Sequence, residues 1–388
     1  MKNIKTIYFI APFDPEGFKL TRFLAAHKKI QFILNLLSET KHNVFLICST
    51  PNTKVKKPIR IISTKLSNNR TIKALIPSSS IDSKLNMVNN IIKIPKIIDY
   101  AINNFGKPDV VYTYNAYAFE MKAAKYIKNK FRSFVILEFD DWHFARGINA
   151  KAIVDWLYYI RTLSSIDYSF CVNQFLQEKL VKYNIKSSLL PGTVAEEIIQ
   201  LNSIKPPFTS DKNYINCGYF GGLTKDKGAD FLIKMIEMSI NRKLEIRWFI
   251  TGKGPFEEEL KQLSKKNSDI VKYYGVVSDK KLSEIIGRTD ILLNPHIIMD
   301  GVFPFKLIEY AASGRLIISS DMLFPTKLKW IKDSMLIEDL ELDKWLETIL
   351  RSSNAYNSDK KIINSVSKKV SNKFSKSSIR DEILQLFE

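Results

Sequence analysis

Lys306 and Glu309 stand one helical turn apart in Asp300-Gly-Val-Phe-Pro-Phe-Lys-Leu-Ile-Glu-Tyr-Ala-Ala-Ser-Gly314. Pro304 or Phe305 suits the first turn of a helix, which puts Lys306 where the helix dipole opposes a cation. An anionic ligand between the ammonium and the helix end would remove that conflict. Glu309, on the same face, would then accept hydrogen bonds from a ribose diol. An ordinary amphipathic helix with an exposed i,i+3 pair accounts for the same residues.

Three other loops of the second half carry comparable chemistry. Gly218-Tyr-Phe-Gly221-Gly222-Leu-Thr-Lys225-Asp-Lys227-Gly228 follows a strand and opens a helix, so glycines let a phosphate approach the backbone and Lys225 or Lys227 adds charge. A tight turn with solvated lysines is the plain alternative. The motif matches neither the dinucleotide fingerprint nor the Walker loop. Thr251-Gly252-Lys253-Gly254-Pro255 and Gly275-Val276-Val277-Ser278 also follow strands. Their joint placement at one sheet edge carries more weight than any single motif.

In the first half, Phe134–Phe139 reads as a buried strand that runs into Asp140-Asp141-Trp142-His143-Phe-Ala-Arg146-Gly147. Carboxylates gathered at a strand end, Glu138 included, raise one another's pKa and serve as acid, base or sugar-hydroxyl acceptor. A polar loop with one helix-capping aspartate is the alternative. Asp141, Asp140 and His143 are the catalytic candidates, in that order. Tyr114-Asn115-Ala116-Tyr117 would either stack on a sugar or cap a helix at Asn115.

The elements that must position these residues alternate. Strands are predicted at residues 7–11, 44–48, 109–112, 134–139, 168–172 and 188–191, with helices between them. Residues 52–80 show no clear period, and residues 83–105 form a helix interrupted at Pro95. The pattern restarts with strands at 214–219, 245–250, 271–274, 291–293 and 316–319, and the tail from Asp343 is helical. Strand–helix alternation means parallel sheets covered by helices. Two series mean two doubly wound units, with Ser203–Ser210 as linker and ligands beyond the carboxyl ends of the strands.

The order GGLTKDKG, TGKGPFEEEL, YYGVVSDKKLSEIIGRTDILLNP and PFKLIEYAASGRLIIS resembles the C-terminal domain of glycosyltransferase family 4, the glycogen synthase-like group 1 of the GT-B class. The likeness is close over residues 214–320 and loose over 1–193. It implies two facing Rossmann-like domains with a cleft: residues 1–193 on the acceptor side, 194–371 binding nucleotide sugar, and a helix over about 372–388 returning to the first. It implies that Lys227 meets the donor phosphates, Glu309 holds the ribose, Val277 offers backbone to the base, and Pro304, Phe305 and Lys306 cradle the diphosphate. Gly221, Gly222 and Gly252 line that site. The family's first glutamate of E-x7-E falls at Gly301 and its usual arginine at Gly222, and the chain carries the P-x-K-x-x-E-Y variant. Gly17 and Phe18, after the first strand, take the acceptor side with Glu138 and Arg146. The resemblance also implies sugar transfer with retention, without a metal or other cofactor.

The chain has 388 residues and a net charge of +19, of which residues 1–200 hold +14. Such asymmetry points to an anionic membrane, a polyanionic substrate or nucleic acid, while lysine-rich coding would produce it without a partner. Residues 83–105, the Lys54–Arg60 loop and Trp142 are the expected headgroup contacts. No nucleic-acid motif is present. Three scattered cysteines give neither a disulfide framework nor a zinc site, and no run of 18 apolar residues exists. The expectation is a cytoplasmic enzyme, peripheral at the inner membrane face, moving a hexose-type unit onto a glycan or lipid-linked glycan of the bacterial cell surface. A silent partner subunit and, more remotely, a nucleic-acid binder are the alternatives.

Overall fold

The computed structural model describes the chain except residues 1–3, 14–23, 50–56, 80–82, 143, 145–149, 191, 205, 207–213, 298–303, 305, 322, 323, 325 and 388. It divides into two units: Met1–Leu190 with Leu384–Glu388, and Pro191–Ile383.

The first unit runs β1 (Thr6–Ala11), α1 (Leu24–Ser38), β2 (Asn43–Cys48), β3 (Arg60–Lys65), β4 (Thr71–Ile76), α2 (Ser83–Ile92), α3 (Ile94–Phe105), β5 (Val110–Tyr114), α4 (Ala118–Phe131), β6 (Phe134–Phe139), α5 (Ala150–Thr162), β7 (Tyr168–Cys171), α6 (Gln174–Val181) and β8 (Lys186–Leu189). Its sheet has the order β3-β4-β2-β1-β5-β6-β7-β8. β1 and β5 are buried along nearly their whole length because helices cover both faces. Ile94, Ile97, Ile98, Ala101 and Phe105 form the inner stripe of α3, and Pro95 sits in its first turn, where its missing N–H costs no helical bond. The helix expected over 83–105 accordingly breaks at Lys93, between α2 and α3.

Residues 52–80 hold more structure than their sequence suggested. β3 and β4 form an antiparallel hairpin at the sheet edge, closed by a turn in which Asn69 takes φ 65°. The outer strand is only partly buried, so it needs no regular apolar alternation. All other pairs in this sheet are parallel.

The second unit comprises α7 (Glu196–Ile199), β9 (Ile215–Phe220), α8 (Ala229–Asn241), β10 (Ile246–Thr251), α9 (Glu257–Lys266), β11 (Val271–Tyr273), α10 (Asp279–Ile286), β12 (Ile291–Asn294), α11 (Lys306–Ala312), β13 (Leu316–Ser320), β14 (Met335–Glu338), α12 (Leu342–Phe374) and α13 (Lys376–Leu384). Its sheet, β11-β10-β9-β12-β13-β14, is parallel throughout. The edge strand β14 was not anticipated.

In the second unit, ahead of β9, Ser283 Oγ donates to the Glu197 carbonyl at 2.6 Å, and Arg315 Nη1 donates to that of Ile204 at 2.9 Å. α12 and all but the last residue of α13 also group with the second unit. Only the chain end joins the first, where Phe387 is buried and its carbonyl accepts from Lys5 Nζ at 2.9 Å.

Candidate functional site

In the second sheet the chain winds outward from β9 in one direction through β10 and β11, and in the other through β12, β13 and β14. The order therefore reverses between β9 and β12, the place where such sheets open a crevice beyond their carboxyl ends. The loops that flank it are Gly221–Gly228, Pro295–Ile297 and the start of α11.

Backbone contacts lock these loops together. A Cβ at Gly228 (φ 73°) would sit 1.8 Å from the Pro295 carbonyl oxygen, and one at Gly252 (φ 127°) would sit 1.7 Å from that of Gly221. Both positions need glycine for conformation and for space. Gly252 N–H donates to the Gly275 carbonyl at 2.7 Å, and Tyr273 OH donates to the Gly252 carbonyl at 2.7 Å. Gly221, Gly252 and the loop of Val277, half-buried ahead of α10, are thus coupled.

Lys306 is the central side chain. Its Nζ is buried, has no hydrogen-bond partner among the described residues, and lies 4.1 Å from the Tyr219 ring centre. Burial lowers its pKa to about 7; the Lys227 charge adds to the effect and Asp226 opposes it. His296 is buried beside it with neither ring nitrogen hydrogen-bonded among the described residues. Burial, with the Lys306 charge, lowers its pKa to about 4, so the imidazole is neutral near pH 7. A buried amine without a partner is costly unless a ligand supplies the countercharge.

Lys227 lies over Gly222, its Nζ 2.9 Å from the position a Cβ would take there. The lysine therefore occupies the space where the family's arginine would begin. Glu309 is half-buried one turn along α11, and Pro304 is buried ahead of it, its carbonyl accepting from Leu307 N–H at 3.0 Å. Gly301 and Phe305 lie outside the described residues.

Two supports were missed in the sequence. Tyr310 OH accepts from Phe220 N–H at 2.8 Å and lies 3.2 Å from the Phe220 carbonyl, pinning α11 to the end of β9. Tyr219 OH donates to the Gly222 carbonyl at 2.8 Å and lies 3.2 Å from that of Lys227. Tyr310 was in view as the last residue of P-x-K-x-x-E-Y.

The first unit has a second polar centre. Glu138 and Asp140 converge on Lys29: Nζ lies 2.6 Å from Glu138 Oε1 and 2.5 Å from Asp140 Oδ1. Tyr112 OH donates to Glu138 Oε2 at 2.5 Å, and Tyr114 OH donates to Asp140 Oδ2 at 2.7 Å. Burial pushes the Glu138 carboxyl up to about 7, with Lys29 opposing and Asp140 adding. Burial alone would lower the Lys29 pKa, but Asp140 and Glu138 outweigh it and hold the ammonium charged. Glu138 is fully buried with Lys29 and Tyr112 as partners, so it positions Lys29. Asp140 keeps a partly exposed side chain, and Asp141 is half-buried beside it. His143, Arg146, Gly17 and Phe18 lie outside the described residues.

Lys29 was missed, although it shares a helix face with Ile33 and Leu36 in α1, and a cation on an apolar stripe is itself a signal. Two expectations are corrected. Asn115 does not cap α4: it is buried at φ 62°, and Asp155 Oδ1 accepts from the Ala118 N–H at 2.8 Å instead. Trp142, expected at a lipid surface, is partly buried: it packs against Phe139, Phe144, Tyr159 and Phe175, with Lys179 Nζ 5.2 Å from its ring centre.

The chain matches the family model described as "Glycosyl transferases group 1" over residues 215–353, wholly within the second unit. The phosphatidylinositol N-acetylglucosaminyltransferase gpi3 subunit of Schizosaccharomyces pombe is 24% identical over 161 residues, 41% of this chain and 35% of that protein. The chain thus spans about a third of the length of the curated relatives it matches. Among solved structures, sucrose-phosphate synthase from Thermosynechococcus elongatus superposes with a TM-score of 0.66 at 12% identity, covering 99% of this chain and 98% of that one. Anabaena HepE in complex with UDP and glucose gives 0.66 at 12%, covering 98% and 99%. The second unit thus carries the match to the group 1 glycosyl transferase model, in a chain that has the GT-B fold.

Proposed function

We propose that this protein transfers a hexose-type sugar, with retention, from a nucleotide diphosphate-sugar to a glycan or lipid-linked glycan acceptor. The observation that carries the reading is the buried Lys306 amine, without a hydrogen-bond partner among the described residues, beside Lys227 at the switch point of the second sheet. A diphosphate there gives both amines a counterion, and as the bond to the sugar breaks they meet the charge that grows on the departing group. Glu309 takes the ribose, and the Gly275–Ser278 loop with Val277 takes the base. This needs no resident metal or other cofactor.

Asp140 and Asp141 take the acceptor hydroxyl, with Asp140 held by Lys29 and Tyr114. Support for a nucleotide-sugar comes from HepE, solved with UDP and glucose, and for a lipid-linked acceptor from the gpi3 subunit, whose name specifies phosphatidylinositol. The positive first half of the chain fits work at the cytoplasmic face of an anionic membrane, in the synthesis of cell-surface polysaccharide.

The test is turnover of a panel of UDP-, GDP- and ADP-sugars by wild type, Lys227→Ala, Lys306→Met and Glu309→Ala. One donor is expected to turn over, and each variant to lose about a hundredfold or more. Binding of a donor without turnover would instead favour the silent-subunit alternative that Gly222 and Gly301 leave open. Turnover undiminished in all three variants would overturn the site assignment.

A further inference from the structure

α5 is apolar on both sides. Its inner face carries Tyr159 and Asp155 against the core. Its outer face carries Ile153, Trp156, Leu157 and Ile160, which remain 48%, 45%, 36% and 40% exposed. Their spacing places all four on one stripe. An exposed apolar stripe of this kind marks an interaction surface.

The charge around the stripe selects the partner. Lys151, which also pairs with the buried Asp155 at 2.6 Å, and Arg161 are exposed at its two ends. On the neighbouring α4, Lys122 Nζ lies 5.7 Å from the Tyr158 ring centre and Lys125 Nζ donates to the Arg161 carbonyl at 2.7 Å. The carboxylates of α2 to α5 are Asp99, Glu120 and Asp155. Glu120 and Asp155 are buried, and Asp99 pairs with Lys130. The outer layer of these helices is therefore apolar and cationic. A second copy of this chain packed symmetrically on the stripe would set Lys151 and Arg161 against like charges. An anionic bilayer meets both features: apolar side chains enter the acyl boundary, tryptophan suits the headgroup level, and flanking lysines and arginines meet lipid phosphates.

We propose that the outer face of α5, with Trp156 at its centre, docks this protein on an anionic phospholipid surface. The inference deepens the membrane part of the reading above, and moves the contact from Trp142, which is partly buried against the core, to Trp156, which is 45% exposed. α2, on the other flank of α4, exposes Val88 and Ile92 and extends the same helical layer.

The experiment is vesicle flotation of the full chain without nucleotide sugar, using phosphatidylglycerol with phosphatidylcholine against phosphatidylcholine alone. Wild type is expected to float with the anionic vesicles and to lose binding as salt rises. The double substitution Trp156→Ser with Ile160→Ser is expected to weaken binding about tenfold or more with its melting temperature preserved. Ile362→Ser, an exposed apolar position on the second unit, serves as control and is expected to bind like wild type. Quenching of tryptophan fluorescence by brominated lipid is expected in wild type and reduced in Trp156→Phe, which keeps its affinity. Absence of binding at low salt, or binding unchanged in the double variant, would overturn the proposal. So would concentration-dependent dimers that the double variant abolishes, because they assign the stripe to a second copy. Nucleotide-sugar turnover measured on the same samples separates failure of docking from failure of the transfer reading.

Discussion

Lys306 is a structural cost that a bound anion would offset. Its folded pKa, about 7, lies below the ordinary 10.5 because burial penalises the ammonium. Between those values the unfolded chain holds a proton that the folded chain has released, so stability rises with pH across the window; below pH 7 the full penalty is present. Lys306→Met should therefore be more stable than wild type near neutral pH, with the advantage shrinking toward pH 10.5, as read by denaturant titrations. A diphosphate that restores the charge should take up protons on binding at neutral pH. Calorimetry in buffers of different ionisation heat measures that uptake, which Lys306→Met should abolish. Gly222→Ala tests the neighbouring amine. Its Cβ would displace Lys227 Nζ, a flexible side-chain end, so donor affinity should fall by about 1 kcal/mol at unchanged melting temperature. If Gly222→Ala binds donor as wild type does, Lys227 does not reach the phosphates.

At the scale of elements, α11 depends on a hydroxyl. Tyr310→Phe leaves the buried Phe220 N–H without its partner and frees the helix carrying Lys306 and Glu309. A stability loss of about 1–3 kcal/mol is expected in urea melts, with weaker donor binding. In the first unit, Lys29→Met strands the buried Glu138 carboxylate and should cost about 3–5 kcal/mol at neutral pH. Glu138 has a raised pKa, about 7, so that cost should shrink as pH falls through 7 and the carboxyl takes a proton. A Lys29→Met variant equally unstable at pH 5 and pH 8 would show that packing, and not charge, dominates there.

For the whole molecule, the two units have separate sheets and separate apolar cores. The chain end belongs to the first unit through Phe387, whose ring centre lies 6.1 Å from that of His42. Phe387→Ala should cost about 3 kcal/mol and lower the melting of the first unit, as followed by hydrogen exchange in β1 and β2. Exchange loss confined to α12 would contradict the assignment.

The sequence by itself determined the two α/β series and the strands that end in loops, and it singled out Lys227, Lys306 and Glu309 as candidates. These are local patterns: buried strands read as apolar runs, and loop glycines and charges stand out against them. The β3–β4 hairpin was less legible because an exposed edge strand carries no apolar period, although Ser67-Asn68-Asn69 marks its turn. Only the tertiary structure decided the rest. It brought Lys29 to Glu138, Lys227 over Gly222 and His296 beside Lys306, packed Trp142 against Tyr159 and left Trp156 outside. Each of these depends on which residues distant in the chain share one sheet edge or one helix layer. Spacing along the chain does not encode that, because burial and charge neutralisation are set by neighbours in space.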